Sequence, residues 1–169
     1  MKFNNILGHE KIKEYLLKSH DTDKLSHAYI FVGKEGIGKM TLAKEFAKII
    51  HCEKGVGCGE CHGCIRVEKD SHPDYKVIIP DGKSIKNKQI EDFQNQMAIK
   101  PYDSSKKLFI IEDAGSMTTS AQNRLLKVFE EPPEYGIVIL VTDNLYKLLP
   151  TIRSRGQILN FTAIPKFIM

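Results

Sequence analysis

Short, almost wholly apolar runs recur along this chain with helix-like segments between them, and that alternation limits the fold more than any other feature. HAYIFV (residues 27–32), YKVII (75–79), KLFII (107–111) and IVILVT (137–142) read as strands, and QILNF (157–161) as a fifth. Amphipathic stretches separate them: residues 10–19, residues 40–51, a short helix ending near residue 70, and residues 86–99, where Ile90, Phe93 and Met97 share a face. Residues 119–131 form another, with Ala121, Leu125, Val128 and Phe129 inward and Pro132-Pro133 as the stop. Strands apolar on both sides, each followed by a helix, mean a parallel sheet covered on both faces. The expected class is α/β, and a ligand would sit outside the carboxyl ends of the strands. At 169 residues, one domain over 1–169 suffices.

The turn after the first strand, GKEGIGK (residues 33–39), matches G-x-x-x-x-G-K and opens a helix. That context selects the phosphate-loop NTPase form of the α/β fold over a glycine-rich turn without a ligand. Gly33, Gly36 and Gly38 let backbone N–H groups turn toward phosphate oxygens, the helix N-terminus adds its dipole, and Lys39 reaches the terminal phosphates. The motif then wants Ser or Thr to ligate magnesium. Met40 stands there, and a thioether is a poor ligand for a hard cation. Thr41 is one residue late, about 100° around the helix. ATP or ADP is therefore expected to bind weakly or not at all.

The third strand ends in Glu112-Asp113. An Asp supporting magnesium, followed by a Glu orienting water, is the working order in many phosphate-loop ATPases. Here the order is reversed, so Glu112 is one methylene too long and Asp113 one too short. Hydrolysis tolerates little misplacement, and the pair reads as a relic site or as two solvated acids. Thr142, ending the fourth strand, is a candidate phosphate sensor. LPTIRSR (residues 149–155) follows, with Pro150 suited to the first turn of a short helix. Arg153 and Arg155 are either solvated or able to fork onto a phosphate.

All four cysteines fall within 13 positions, Cys52-x5-Cys58-x2-Cys61-x2-Cys64, among four glycines. Two C-x-x-C turns can aim four thiolates at one Zn2+ in a closed, structural site. Redox thiols and unligated buried thiols are the alternatives. No apolar run reaches the ~20 residues of a membrane helix, and the polar start does not look like a signal peptide. No membrane partner and a cytoplasmic location are expected. The net charge of +4 is weak evidence for a nucleic-acid partner.

Together these pieces resemble the AAA+ clamp-loader subunits of bacterial DNA polymerase III over nearly the whole chain. The resemblance runs through ILGHE (6–10), HAYIFVG (27–33), the phosphate loop, the four cysteines, HPD (72–74), SAQNRLLKVFEEPP (120–133) and LPTIRSR (149–155). Within that family DGKSI (81–85) and IKPY (99–102) look like the delta-prime branch. Motor subunits of the gamma/tau branch usually have Thr after the lysine and an Asp-Glu pair. The resemblance implies that Ser154-Arg155 is the Ser-Arg of a Ser-Arg-Cys motif, with Gly156 in place of the cysteine. Arg155 would then act as an arginine finger on a neighbour's ATP, and Thr142 would be sensor 1. Family members continue into a helical lid and a collar, so the chain is expected to be a fragment lacking both.

The resemblance implies a structural, largely non-hydrolytic subunit with little or no ATPase activity of its own. It would sit with gamma/tau and delta subunits in a hetero-pentamer of the DNA polymerase III holoenzyme, opening the sliding clamp and loading it on primed DNA. An active gamma/tau-like motor is the first rival, separable by ATP turnover. A zinc-dependent nucleic-acid-binding module is the second. Residues 53–65 offer it one lysine, two glutamates and no aromatic side chain, a poor surface for stacking bases.

Overall fold

The computed structural model describes residue 3 and residues 6–163. Residues 164–169 lie outside the described residues. Five strands, β1 (Ala28–Val32), β2 (Tyr75–Ile78), β3 (Lys107–Ile111), β4 (Gly136–Thr142) and β5 (Gln157–Asn160), form one sheet in the order β2-β3-β4-β1-β5. Every pairing is parallel. The helices are α1 (Glu10–Asp21), α2 (Lys39–His51), α3 (His62–Glu68), α4 (Asn87–Met97), α5 (Thr119–Glu130) and α6 (Pro150–Arg153).

The period of two along each strand divides the core cleanly. Ala28 and Ile30 of β1, Phe109 and Ile111 of β3, and Val138 and Leu140 of β4 face α4, α5 and α6. Tyr29 and Phe31, Leu108 and Ile110, and Ile137, Ile139 and Val141 face α1, α2 and α3. All seven residues of β4 are buried, which is why that run carries no polar alternation.

Most element bounds agree with the sequence expectation within two residues; α4 stops at Met97, three residues before Lys100-Pro101. Its capping carbonyls are used at Ala98, whose N–H bonds Gln94 O.

The sheet order creates the site. The chain leaves β1 through α2 and α3 over one face, while β4 is reached through α5 and left through α6 on the other. Neighbouring strands whose connections depart to opposite faces leave a crevice at their carboxyl ends. The register puts Thr142 level with Val32, and the Gly33 N–H donates to the Thr142 carbonyl at 3.2 Å.

Candidate functional site

The crevice holds a cavity of about 720 Å³, lined in part by Gly36, Gly38, Lys39, Met40, Thr41, Glu112, Asp113 and Thr142. That size is within the usual range for small-molecule sites. Eight residues selected from the sequence thus meet in one place. Gly33 is absent from the lining and lies at the loop's root. A Cβ there would come within 2.9 Å of Phe161, so its smallness serves the packing of β5's exit. Gly36 and Gly38 do have the left-handed backbone, at φ 78° and 103°.

Lys39 is buried, and its ammonium donates to the carbonyls of Gly33 and Lys34, the latter at 2.9 Å. Burial lowers its pKa, with the carboxylates of Asp143 and Glu35 acting in the opposite direction. Met40 packs partly against the core on the α2 side, and Thr41 is exposed. No hydroxyl follows Lys39 directly, so the position that would ligate magnesium carries a thioether that does not fit it.

Asp113 takes a left-handed backbone, φ 52°, and its carbonyl accepts from the N–H and hydroxyl of Ser116 at 2.9 and 2.8 Å. The chain therefore turns sharply right after the acidic pair. The Thr142 hydroxyl donates to Asn144 O at 3.1 Å and accepts from Asn144 N at 3.2 Å. It holds the turn that leads to α6.

Sequence reasoning missed Glu35, Pro80, Asp143 and Lys147, which also line the cavity. Asp143 was the findable one, since it directly follows a strand's carboxyl end. Its carboxylate pairs with Lys147 Nζ at 3.3 Å. The stem of Lys147 crosses Gly115, where a Cβ would meet it at 2.8 Å. The lining thus presents four carboxylates against two ammonium groups, a poor electrostatic setting for a polyphosphate that brings no cation.

Arg155 is not in this cavity. It is exposed, two residues past α6. That segment is firmly held: Ile152 is fully buried, and the Leu149 N–H donates to the buried Gln122 side chain at 2.7 Å. The other end of Gln122 donates to the carbonyls of Met117 and Lys147. One side chain in α5 therefore ties the cavity wall to the arginine segment.

The four cysteines converge as well, with all Sγ atoms within 4.8 Å of one another and none in a disulfide. Tetrahedral zinc with Zn–S near 2.3 Å places sulfurs about 3.8 Å apart, so the group fits with small adjustments. Cys52 caps α2, and Cys61 caps α3 by accepting from Cys64 N at 3.5 Å. Further N–H···S bonds run from Cys58 to Cys52 and from Cys61 to Cys58, at 3.4 and 3.3 Å. Burial alone would raise the Cys52 thiol, but N–H groups of Cys58, Val56 and Lys54 outweigh it and bring its pKa to about 6. Burial opposes the same drop at Cys61, where N–H groups of Cys64 and Glu53 prevail. Burial pushes the Cys64 thiol up, so its thiolate needs a cation beside it. Cys52, Cys58, Cys61 and Cys64 would hold a zinc ion that cross-links the end of α2 to the start of α3.

The HPD turn has a packing role. The Asp74 carboxylate is fully buried and accepts from the N–H groups of Tyr102, Asp103 and Ser104 at 2.8, 2.8 and 2.9 Å. His72 stacks on His51 at 4.2 Å between ring centroids, and Ser104 bonds His51 at 2.9 Å. Burial lowers the pKa of His51 to about 3, so it is neutral at physiological pH.

The family model for the DNA polymerase III delta subunit matches residues 8–165. The chain belongs to that family. It is 42% identical over 161 residues to DNA polymerase III subunit delta' of Bacillus subtilis, covering 94% of this chain and 49% of that relative. It is 36% identical over 167 residues to the tau subunit of the same organism, covering 96% of this chain and 29% of the relative. The chain thus spans about half the length of the delta' relative. A gamma subunit-related protein of Thermotoga maritima has a TM-score of 0.62 at 24% identity, over 94% of this chain and 46% of that one. A RuvB structure from the same organism has a TM-score of 0.59 at 18% identity, over 94% and 47%. These two likenesses concern the fold, the phosphate-loop NTPase architecture of this delta-subunit family member. Among the described residues no helix is long and apolar enough to cross a membrane.

Proposed function

We propose that this chain is a structural, largely non-hydrolytic AAA+ subunit of the DNA polymerase III clamp loader that contributes Arg155 to a neighbouring subunit's ATP. In this reading it assembles with gamma/tau and delta subunits, and the assembly opens the sliding clamp and places it on primed DNA. The observation that carries the proposal is an asymmetry. The chain's own cavity has Met40 where magnesium needs a hydroxyl, a reversed Glu112-Asp113 pair and an excess of carboxylates. Arg155, by contrast, is exposed on a braced segment. An arginine finger needs no local nucleotide; it needs reach and rigidity, and in well-studied GTPases it is worth roughly 10³–10⁵ in rate.

The test is ATP turnover by loader reconstituted with Arg155→Ala. Turnover is expected to fall at least tenfold, with folding, zinc content and assembly unchanged, and Arg155→Lys should rescue poorly because a point charge lacks the guanidinium fork. Equal rates for wild type and Arg155→Ala would reduce Arg155 to a solvated charge. Robust magnesium-dependent turnover by the isolated protein would favour the motor reading instead.

A further inference from the structure

Arg153 closes α6 two residues before Arg155, and its guanidinium carbon sits 5.1 Å from the centroid of the Tyr146 ring. Tyr146 is 80% exposed, more than any other large apolar side chain described. A ring so exposed on the short 3-10 turn Leu145–Lys147 adds nothing to either core. What it does is orient a cation, since a guanidinium over an aromatic face is held by the ring's quadrupole. The Arg153 Nε is covered and lacks a hydrogen-bond partner among the described residues.

The described arginine ion pairs belong to Arg66 and Arg124. The nearby Asp143 is already paired with Lys147 at 3.3 Å. Arg153 and Arg155 are thus two cations close together, both without a carboxylate among the described residues. The mount is stiff. Ile152 is fully buried, and Gly156 lies so close to Ile30 that a Cβ there would meet it at 2.9 Å.

We infer that Tyr146 and Arg153 form a docking platform for a carboxylate side chain on an adjacent loader subunit. The inference rests on the reading of Arg155 as facing such a neighbour. A guanidinium stacked on a ring presents its in-plane N–H fork, which matches a carboxylate bidentately. The guanidinium covers one face of the Tyr146 ring, so a nucleic-acid base could stack only on the other. Exposed Tyr and Arg are also the side chains that most often carry binding energy at protein interfaces. Arg153 and Arg155 then divide the work: the first sets affinity for the neighbour, the second its turnover.

Calorimetric titration of the protein with the gamma/tau subunit of the same cell tests this, alongside ATP turnover of the complex at saturating concentration. Arg153→Ala and Tyr146→Ala are each expected to raise Kd about tenfold, with turnover of the saturated complex unchanged. Tyr146→Phe keeps the ring and should bind like wild type. Arg153→Gln keeps the stem over the ring, so a loss of affinity there excludes a disturbed α6 as the cause. Arg155→Ala should do the reverse, lowering turnover at unchanged Kd. Unchanged Kd for Arg153→Ala and Arg153→Gln would overturn the platform even if Arg155→Ala slows turnover. Weaker binding of single-stranded DNA with unchanged subunit affinity would overturn it in favour of a nucleic-acid surface. If Arg155→Ala leaves turnover unchanged while Arg153→Ala raises Kd, the finger fails and the platform stands.

Discussion

The four cysteines are expected to hold one zinc ion, and its removal should melt residues 52–64 and leave the sheet folded. Ordering a residue's backbone costs at least about 1 kcal/mol, so these 13 residues cost on the order of 13 kcal/mol. A structural zinc site supplies roughly 10–16 kcal/mol, the same size. Little else holds the segment. Its contacts are chiefly N–H···S bonds of 3.3–3.5 Å, and the cysteines themselves stand outside both apolar clusters. The fit against α2 is tight but local: a Cβ at Gly63 would fall 2.0 Å from the His51 carbonyl oxygen. Protein purified without added metal should contain one zinc per chain by elemental analysis. In Cys61→Ser, or after chelation, hydrogen exchange should become fast across 52–64 and stay slow in β1, β3 and β4. A metal-free protein with four titratable thiols and an exchange-protected module would refute the reasoning. So would loss of the whole sheet on chelation.

Two smaller perturbations separate packing from chemistry. Met40→Thr should leave ATP turnover at background, because the order of Glu112 and Asp113 is unchanged, and should cost about 1 kcal/mol through lost packing on the core. Turnover above tenfold background in that variant would place the defect at residue 40 alone. Asp74→Asn replaces an acceptor of three N–H bonds by a group with one acceptor oxygen. A loss of about 3 kcal/mol is expected, lowering Tm by on the order of 10 °C; a shift under 2 °C in thermal melts would contradict it.

The strands and helices were legible because their periods are local and unambiguous; β4 is seven apolar residues with nothing polar to obscure it. The cavity residues were legible because phosphate loops and strand-end acids lie at fixed places on this topology. Lys147 was not, because its role depends on the turn held by Thr142 and Asn144 and on the bare Gly115 surface, whereas Asp143, directly after β4, could have been found. The HPD segment was legible only as part of the family resemblance, because the partners of Asp74 lie 28–30 residues away, beyond any local pattern. The sequence left Arg153 either solvated or able to fork onto a phosphate, and the ring of Tyr146 that it faces belongs to a separate turn that no local pattern links to it.

Lys39 is present although the hydroxyl that would hold magnesium beside it is not. In a working phosphate loop the lysine is tested by removing it and watching nucleotide binding fall. Here the residue is buried and its ammonium is bonded to the carbonyls of Gly33 and Lys34, so it closes the loop on itself. The same loop is tied to β4 through Gly33 N and Thr142 O. Lys39→Ala would therefore leave two carbonyls short of a donor and remove a packed stem, costing about 1–3 kcal/mol with no nucleotide in solution. For a chain this long that is a fall in Tm of roughly 2–12 °C. The measurement is a pair of melts, with and without ADP. A lysine that serves only phosphate would give equal Tm values for wild type and Lys39→Ala without nucleotide, and that result would sink the structural role. A drop that appears in both conditions would assign Lys39 a structural role, donating to the loop's own carbonyls beside a Met that cannot hold magnesium.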